Sequence, residues 1–374
     1  MEPPREDCED LIPGLPDDIA LMCLARISHG YHGLLECVSK KWRAAIRGHD
    51  YVALKEKEWL CGNWLFALSS GEDSLNCVAY DPDADRWHPM PRVPTTQRCQ
   101  GFGYSCVSVC QRFFIIGGSY TTATFGQPLT TNDVLLFDPF KKNWSRAACM
   151  RRERGNFACA VVLNKIYVAG GSNLCHEVRG LAAAEVYDPL EDRWDDLPPL
   201  PTPLLECHGV SRKGQFHVFG RENPDGEQDM YFRFDPADWR WHIMKDFQQL
   251  PRLTCLYNTI FNDRVYAVHN EGIIQFLDGD FNNWQTLGVV PSVLLPDHQR
   301  PLKPFGFGFL GFKKYMFLVG GGIIKFNSET RTYGITKLNS TLFCDSTKLP
   351  LEWRDARSMP VSSAGSTSCF SLEE

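Results

Sequence analysis

Short apolar runs that end in glycine recur along most of the chain. They occupy residues 113–118, 166–171 and 316–321, and a degenerate copy at 216–220 ends in a single glycine. Because the runs are short and rich in β-branched and aromatic residues, they favour buried strands over helices. Glycine permits positive φ and close backbone approach where a strand leaves its sheet. The three glycine pairs are Gly117 and Gly118, Gly170 and Gly171, and Gly320 and Gly321.

A second pattern follows each run. An aromatic residue, Asp and Pro are followed by a Trp that lies seven residues after the aromatic residue. Pro fixes φ in a turn and Asp can bond the turn backbone, while Trp supplies a large apolar face for packing neighbouring units. The Asp and Trp pairs are Asp81 and Trp87, Asp138 and Trp144, Asp188 and Trp194, and Asp235 and Trp241. Looser copies run from Phe276 to Trp284 and from Phe326 to Tyr333.

Together the two patterns define a unit of four strands, which is one blade of a β-propeller. We predict a mainly β fold with six blades over residues 63–345. The segment Phe343-Cys344-Asp345, followed by Trp353, keeps a seventh blade open. Residues 346–374 form a C-terminal segment in which 366–370 are a candidate for the strand that closes the ring.

Residues 11–50 follow a different, helical pattern. Asp17 to Ile27 carries an apolar stripe after Pro16, residues 34–38 form a second apolar element, and Ser39 can cap a third helix. A flexible tail at 1–10 precedes this all-α unit and a linker at 51–62 follows it. So small a unit cannot bury all of its apolar residues, which indicates a protein interface.

The repeated unit resembles the kelch repeat, and residues 11–48 resemble an F-box. In this order the two resemble plant F-box/kelch-repeat proteins. The resemblance implies a non-catalytic substrate-recognition subunit of an SCF-type ubiquitin ligase: the F-box binds a Skp-type adaptor, and through it a cullin, while the propeller binds the protein to be ubiquitinated. The implied docking or helix-core positions are Leu15, Pro16, Ile19, Leu24, Ile27, Val38 and Trp42.

The composition argues against some classes of binding partner. A net charge of −6 argues against nucleic acid or an anionic membrane, and the chain has no run of 18 apolar residues. The acidic, Pro-rich start does not resemble a secretory signal, so we expect the cytoplasm or the nucleus. The 15 cysteines include no Cys-x-x-Cys pair and are expected to be free thiols rather than zinc ligands.

The alternative function is that of a kelch-type metal enzyme or a specifier-like small-molecule binder. The specifier proteins carry a Glu-x₃-Asp-x₃-His iron motif. Glu191 and Asp195 have the first spacing of that motif, but Pro199 occupies its third position. The histidines form no His-x-His or His-Glu-x-x-His pattern. We therefore expect no metal, no cofactor and no enzymatic activity.

Substrate contacts are expected in the loops at the blade ends. Arg98 precedes a predicted strand, and Arg151, Arg152 and Arg154 lie in a connection between blades. An arginine cluster can bind an acidic or phosphorylated peptide. The alternative for Arg98 and Arg154 is packing inside the repeat, because both occupy equivalent positions just before a strand.

Overall fold

The computed structural model has an N-terminal helical unit followed by a ring of six antiparallel β-sheets. It describes residues 10–58, 62–70, 75–94, 102–121, 128–173, 180–222, 229–244, 257–261, 264–268, 272–277, 284–291, 304–327, 332–360 and 367–372. Six sheets confirm the predicted six-bladed propeller.

The helical unit contains α1 (Asp17–Ala25), a 3₁₀ turn (His29–Tyr31), α2 (His32–Leu35), α3 (Lys40–Arg47) and α4 (His49–Lys57). Pro16 precedes α1, and the Ser39 hydroxyl caps α3 by accepting the Trp42 backbone N–H at 3.0 Å. Its small core consists of Leu11, Ala20, Leu24, Ala25, Ile46 and Tyr51. Helix α4 extends the unit through residues that the sequence pattern had assigned to a linker.

The strands follow one another in chain order, four to a blade. The first three blades contain β1 (Trp64–Ser70), β2 (Leu75–Asp81), β3 (Arg86–Pro89), β4 (Ser105–Val109), β5 (Arg112–Ile116), the side hairpin β6 (Ser119–Thr121) and β7 (Pro128–Thr130), β8 (Val134–Asp138), β9 (Asn143–Arg146), β10 (Ala158–Val162), β11 (Lys165–Ala169), β12 (Ala184–Asp188) and β13 (Arg193–Asp196). Blade one is β1 to β3, blade two is β4, β5, β8 and β9, and blade three is β10 to β13.

The second half repeats this arrangement. It contains β14 (Leu205–Arg212), β15 (Gln215–Arg221), β16 (Asp229–Asp235), β17 (Arg240–Ile243), β18 (Tyr257–Phe261), β19 (Arg264–Val268), β20 (Ile273–Leu277), β21 (Trp284–Val289), β22 (Pro304–Phe312), β23 (Tyr315–Asn327), β24 (Thr332–Lys337), β25 (Thr341–Asp345), β26 (Arg354–Ala356) and β27 (Thr367–Leu372). Blade four is β14 to β17, blade five is β18 to β21, and blade six is β22, β23, β25 and β26, with β24 as a side strand.

The ring closes through the two ends of the chain. β27 pairs antiparallel with β1 from Trp64 opposite Leu372 to Ser69 opposite Thr367, and so becomes the inner strand of blade one. It also packs between β22 and β4, the inner strands of blades six and two. The first blade is therefore built from both termini.

Blade six departs from the expected pattern. Phe326 and Tyr333 are opposite each other in a side hairpin between β23 and β24, so they do not form the turn unit of the blade. That unit is formed by β25, which ends at Asp345, and by β26, which follows Trp353. The expectation for Phe326 and Tyr333 was wrong, because β23 continues for 13 residues and its end pairs with β24 in this hairpin. The Asp345 copy belongs to blade six and not to a seventh blade.

The Asp and Trp of the repeat have the structural roles that their chemistry suggests. Each Asp caps its own turn: Asp81 Oδ1, for example, accepts the backbone N–H of Asp83 at 3.0 Å and Asp138 Oδ1 that of Phe140 at 3.0 Å. Each of five Trp indoles donates a hydrogen bond to a backbone carbonyl of the preceding blade or of the connection that leaves it. The pairs are Trp87 to Arg357 (2.7 Å), Trp144 to Pro91 (3.0 Å), Trp194 to Ala148 (2.8 Å), Trp241 to Pro198 (2.7 Å) and Trp353 to Val289 (3.0 Å).

Removal of β27 should open the ring. A chain that ends at Pro360 loses six strand pairs with β1 and exposes Leu65 and Leu68, which are buried. At about 1 kcal/mol for each backbone hydrogen bond, plus the lost burial, we expect the unfolding free energy to fall by roughly 5 kcal/mol or more. Thermal unfolding followed by circular dichroism measures this. A chain that ends at Leu372 is the control, and equal melting temperatures for the two truncations would contradict the closing role of β27.

Candidate interaction surfaces

The helical unit packs against one end of the propeller. The Ser28 hydroxyl lies 3.3 Å from Asp81 Oδ2 in blade one, and Glu36 forms an ion pair of 3.8 Å with Lys142 in blade two. Both propeller residues belong to the turns between the third and fourth strands. Since each blade is antiparallel, the loops after the glycine pairs and the connections between blades lie at the opposite end. The variable loops therefore face away from the helical unit.

The structure separates the predicted residues of the helical unit into two groups. Leu24 is 1% exposed and lies in the core, while Leu15, Ile27 and Trp42 are half-buried and pack against that core. Trp42 also donates its indole N–H to the Leu11 carbonyl at 2.7 Å. These four residues hold the unit together.

The second group is exposed. Pro16 is exposed, Ile19 is 41% exposed and Val38 is 60% exposed. Two more apolar side chains, Met22 (38%) and Leu34 (57%), join them. Ile19 and Met22 are three residues apart and share one face of α1. Their positions in the apolar pattern were visible in the sequence, but their exposure was not. The unit thus presents an unpaired apolar surface to solvent.

A buried polar pair fixes α4 against α2. The Tyr51 hydroxyl lies 3.1 Å from the Leu24 carbonyl and 2.9 Å from His32 Nε2. Because the hydroxyl has a single proton, and the carbonyl can only accept, the imidazole Nε2–H donates to Tyr51. Burial, and then the charges of Lys142 and Lys55, lower the pKa of His32 to about 2. The imidazole is therefore neutral at physiological pH.

Arg154 is inside the propeller. Its side chain and that of Glu185 are both 0% exposed and form an ion pair of 2.5 Å. Arg154 also donates to the carbonyls of Gly170 and Ala183, each at 3.0 Å. Burial lowers the pKa of the guanidinium, whereas Glu185 opposes that shift. A residue held in this way fixes the connection between blades two and three and is not available to a substrate, which supports the packing alternative.

The other predicted arginines do not form a cluster with it. Arg151 is bound by blade three, since it donates to the Trp194 carbonyl at 3.0 Å and to Asp196 at 2.8 Å. Arg152 is exposed and its side chain makes no ion pair with another described residue. Arg98 lies outside the described residues. Arg152 therefore keeps its cation open to a partner at this end of the propeller.

Comparison with known proteins agrees with both parts of this architecture. The F-box domain model matches residues 12–52 and the Kelch motif model matches residues 153–201. The F-box/kelch-repeat protein At1g16250 of Arabidopsis thaliana is 42% identical over 98% of each chain. This chain belongs to the F-box/kelch-repeat family. The helical unit is its F-box.

More distant matches extend the picture. The F-box/kelch-repeat protein SKIP30 of Arabidopsis thaliana is 31% identical and covers 63% of this chain and 68% of its own. Among solved structures, YjhT has a TM-score of 0.51 at 13% identity and covers 73% of this chain and 87% of its own. This last likeness is one of fold.

The described residues offer little chemistry. They contain no group of three His, Cys, Asp or Glu side chains placed to hold a metal ion, and no described helix is long and apolar enough to cross a membrane. The described cysteines are free. Burial raises the pKa of the Cys207 thiol to about 12, so this thiol packs as a small apolar group.

Breaking the Arg154–Glu185 pair should cost stability. Glu185→Gln leaves a buried guanidinium without its counter-charge, and we expect a loss of about 3–5 kcal/mol in unfolding free energy. Arg152→Gln, two residues from Arg154 but exposed, should change it by less than about 0.5 kcal/mol. Urea unfolding of the two variants measures the difference. Similar losses in both would show that Arg154 does not anchor the connection.

Acid should loosen the F-box through His32. An unfolded histidine takes up a proton near pH 6.5, whereas the folded one stays neutral to about pH 2, so stability is present above pH 6.5 and is lost as the pH falls. The loss should approach about 1.4 kcal/mol per pH unit. Hydrogen exchange of the α1 and α4 amides, corrected for intrinsic rates, measures it between pH 7 and pH 5. His32→Gln should remove most of this pH dependence, and an unchanged slope in the variant would contradict the assignment.

Proposed function

We propose that this protein is the substrate-recognition subunit of an SCF-type ubiquitin ligase. The observation that carries the proposal is the apolar F-box surface of Ile19, Met22, Leu34 and Val38, which stays exposed although the unit has a complete core of its own. A surface of this kind requires a protein partner. In F-box proteins that partner is a Skp-type adaptor, which in turn binds a cullin.

The arrangement of the two units supports division of labour between them. The F-box lies at the turn end of blades one and two, and the variable loops lie at the other end. A substrate held by the loops would not compete with an adaptor held by the F-box. We assign the loops at this end, with Arg152 among their exposed residues, to the substrate, and we place the complex in the cytoplasm or the nucleus.

The protein itself is proposed to be non-catalytic. The F-box and kelch matches support this role, because the resemblance implies a subunit that joins a substrate protein to the ligase. Catalysis would reside in the other subunits of the ligase. The contribution of this chain is then to bring a substrate protein close to the ubiquitin-loaded conjugating enzyme.

The adaptor contact is tested with Ile19→Asp combined with Val38→Asp. Both side chains are exposed, so the F-box should stay folded while a charge enters the apolar surface. Loss of two central apolar contacts is expected to weaken adaptor binding by at least about 30-fold. Pull-down and calorimetric titration with a purified Skp-type adaptor measure this.

Leu163→Asp combined with Leu190→Asp is the matched control, because these side chains are 68% and 89% exposed on the propeller and the pair receives the same two charges. It should bind like the wild type. Failure of the wild-type protein to bind any Skp-type adaptor, or undiminished binding by the double variant of Ile19 and Val38, would overturn the proposal.

A further inference from the structure

We call the interface between two neighbouring blades a seam. In two seams a carboxylate forms a hydrogen bond in addition to the one from the Trp indole. Asp85 and Asp192 occupy the same position in the turns of blades one and three, with left-handed φ of 46° and 47°. Asp85 accepts the backbone N–H of Arg357 at 2.7 Å, and Asp192 accepts that of Ala148 at 2.7 Å. Arg357 and Ala148 are also the residues whose carbonyls bind Trp87 and Trp194. Each of these seams is thus held by a pair of reciprocal bonds.

Tyrosine completes the arrangement in the same two blades. The hydroxyl of Tyr80 donates to Asp85 at 2.7 Å, and the hydroxyl of Tyr187 donates to Asp192 at 2.7 Å. The aromatic residue of the turn motif is Phe in blades two and four. Phe has no hydroxyl and cannot donate a hydrogen bond to a carboxylate, so this interaction is missing from blades two and four.

In blades two and four the Tyr, the Asp and the N–H donor of this arrangement are all replaced. The residues that accept the Trp bonds are Pro91 and Pro198, which have no backbone N–H to offer. The left-handed turn position holds Lys142 in blade two and Trp239 in blade four, with φ of 52° and 59°. Trp239 packs edge-on against Phe234, at 5.5 Å between ring centroids. Lys142 adds no ring of this kind, and the seam between blades one and two holds a cavity of about 380 Å³.

This seam cavity is mostly apolar. Its walls include Trp64, Phe66, Met90 and Phe137, and Gly30 of the F-box also lines it. Lys142 and His88 are the titratable residues in its described wall. His88 Nε2 is inaccessible to solvent and has no hydrogen-bond partner among the described residues. Pockets of about 300–1,000 Å³ with apolar walls and a few polar groups are typical of small-molecule sites.

A basic cleft adjoins the seam cavity. It has a volume of about 410 Å³, shares Lys142 with the seam cavity, and is also lined by Arg47, Lys55 and Lys141. Its one carboxylate, Glu36, is bound by Arg47 through two contacts of 2.9 and 2.7 Å, whereas Lys142 lies 3.8 Å away. Burial lowers the pKa of Lys142 despite the opposing effect of Glu36. The positive charge at this point therefore exceeds the negative charge that the protein provides.

We propose that the seam between blades one and two binds a small amphipathic anion, with an aromatic body in the seam cavity and an anionic head group on Lys142. The aromatic walls fit the body, and the cationic excess of the basic cleft fits the head group. Because Gly30 belongs to the F-box and the other walls to the propeller, a bound molecule would stiffen the contact between the two units. This site stands independently of the proposed ligase role.

The probe is 2-naphthoate, and its neutral isostere 2-naphthamide is the matched control. Both are titrated into the full-length protein by ligand-observed NMR. A partly exposed ion pair to Lys142 should make the naphthoate bind up to about fivefold more tightly than the amide. Acetate, which lacks the aromatic body, should not displace the naphthoate at equal concentration.

Two variants place the head group. Lys142→Gln should remove the preference for the naphthoate over the amide, whereas Glu36→Gln should strengthen naphthoate binding because it removes the competing carboxylate. Both variants break the same ion pair, so a merely structural effect would move them in the same direction. Lys348→Gln, exposed in blade six, is the remote control and should leave binding unchanged.

The following outcomes would overturn the proposal. They are equal affinities for naphthoate and naphthamide in the wild-type protein, no binding of either probe, or the same change in both Lys142→Gln and Glu36→Gln. Displacement of the naphthoate by acetate at equal concentration would also overturn it, because the basic cleft alone would then account for binding.

Discussion

The tryptophan indoles of the repeat hold the ring together. Each of the five described bonds joins the fourth-strand region of one blade to a backbone carbonyl of the blade before it or of the connection that leaves that blade. The bond from Trp87 to Arg357 bridges the point where the ring closes, because these residues lie near opposite ends of the chain. Together with the pairing of β27 and β1, that bond turns six separate sheets into one closed structure. Each blade of a propeller keeps only short, protected strand edges, which favours a stable scaffold.

The scaffold determines where each partner can bind. Turn capping by residues such as Asp81 makes one end of the propeller regular, and the F-box uses that regularity, since Ser28 contacts the same carboxylate that caps the turn. The opposite end carries the loops and connections whose sequences differ from blade to blade. Recognition can therefore change through loop sequence without changing the frame, whereas the Arg154–Glu185 pair shows that some connections at that end are fixed from within.

Much of this fold follows from the sequence because its key contacts are repeated. Asp188 and Trp194 act within one turn and one seam, so spacing alone predicts them. The prediction failed in blade six, where Phe326 and Tyr333 imitate the spacing but pair across a hairpin. The sequence pattern did not predict the partner of Arg154, because Glu185 lies 31 residues further along the chain, in β12. The sequence did not separate core from surface in α1, where apolar residues occupy more than one face. Leu24 is buried and Ile19 is not because of how α1 packs against the rest of the helical unit.

The differences between otherwise equivalent seams are harder to predict from the sequence than the repeat itself. Pro91 and Pro198 remove an N–H donor from the connections in which they lie. In the blades that face these prolines, the left-handed turn position is no longer Asp. These two changes are physically linked, because a proline has no backbone N–H to donate to a carboxylate at that turn position. Once freed from that bond, the position can serve another purpose, and in blade two it holds Lys142 beside the F-box. A repeat protein thus acquires an individual site where one copy gives up a bond that other copies keep.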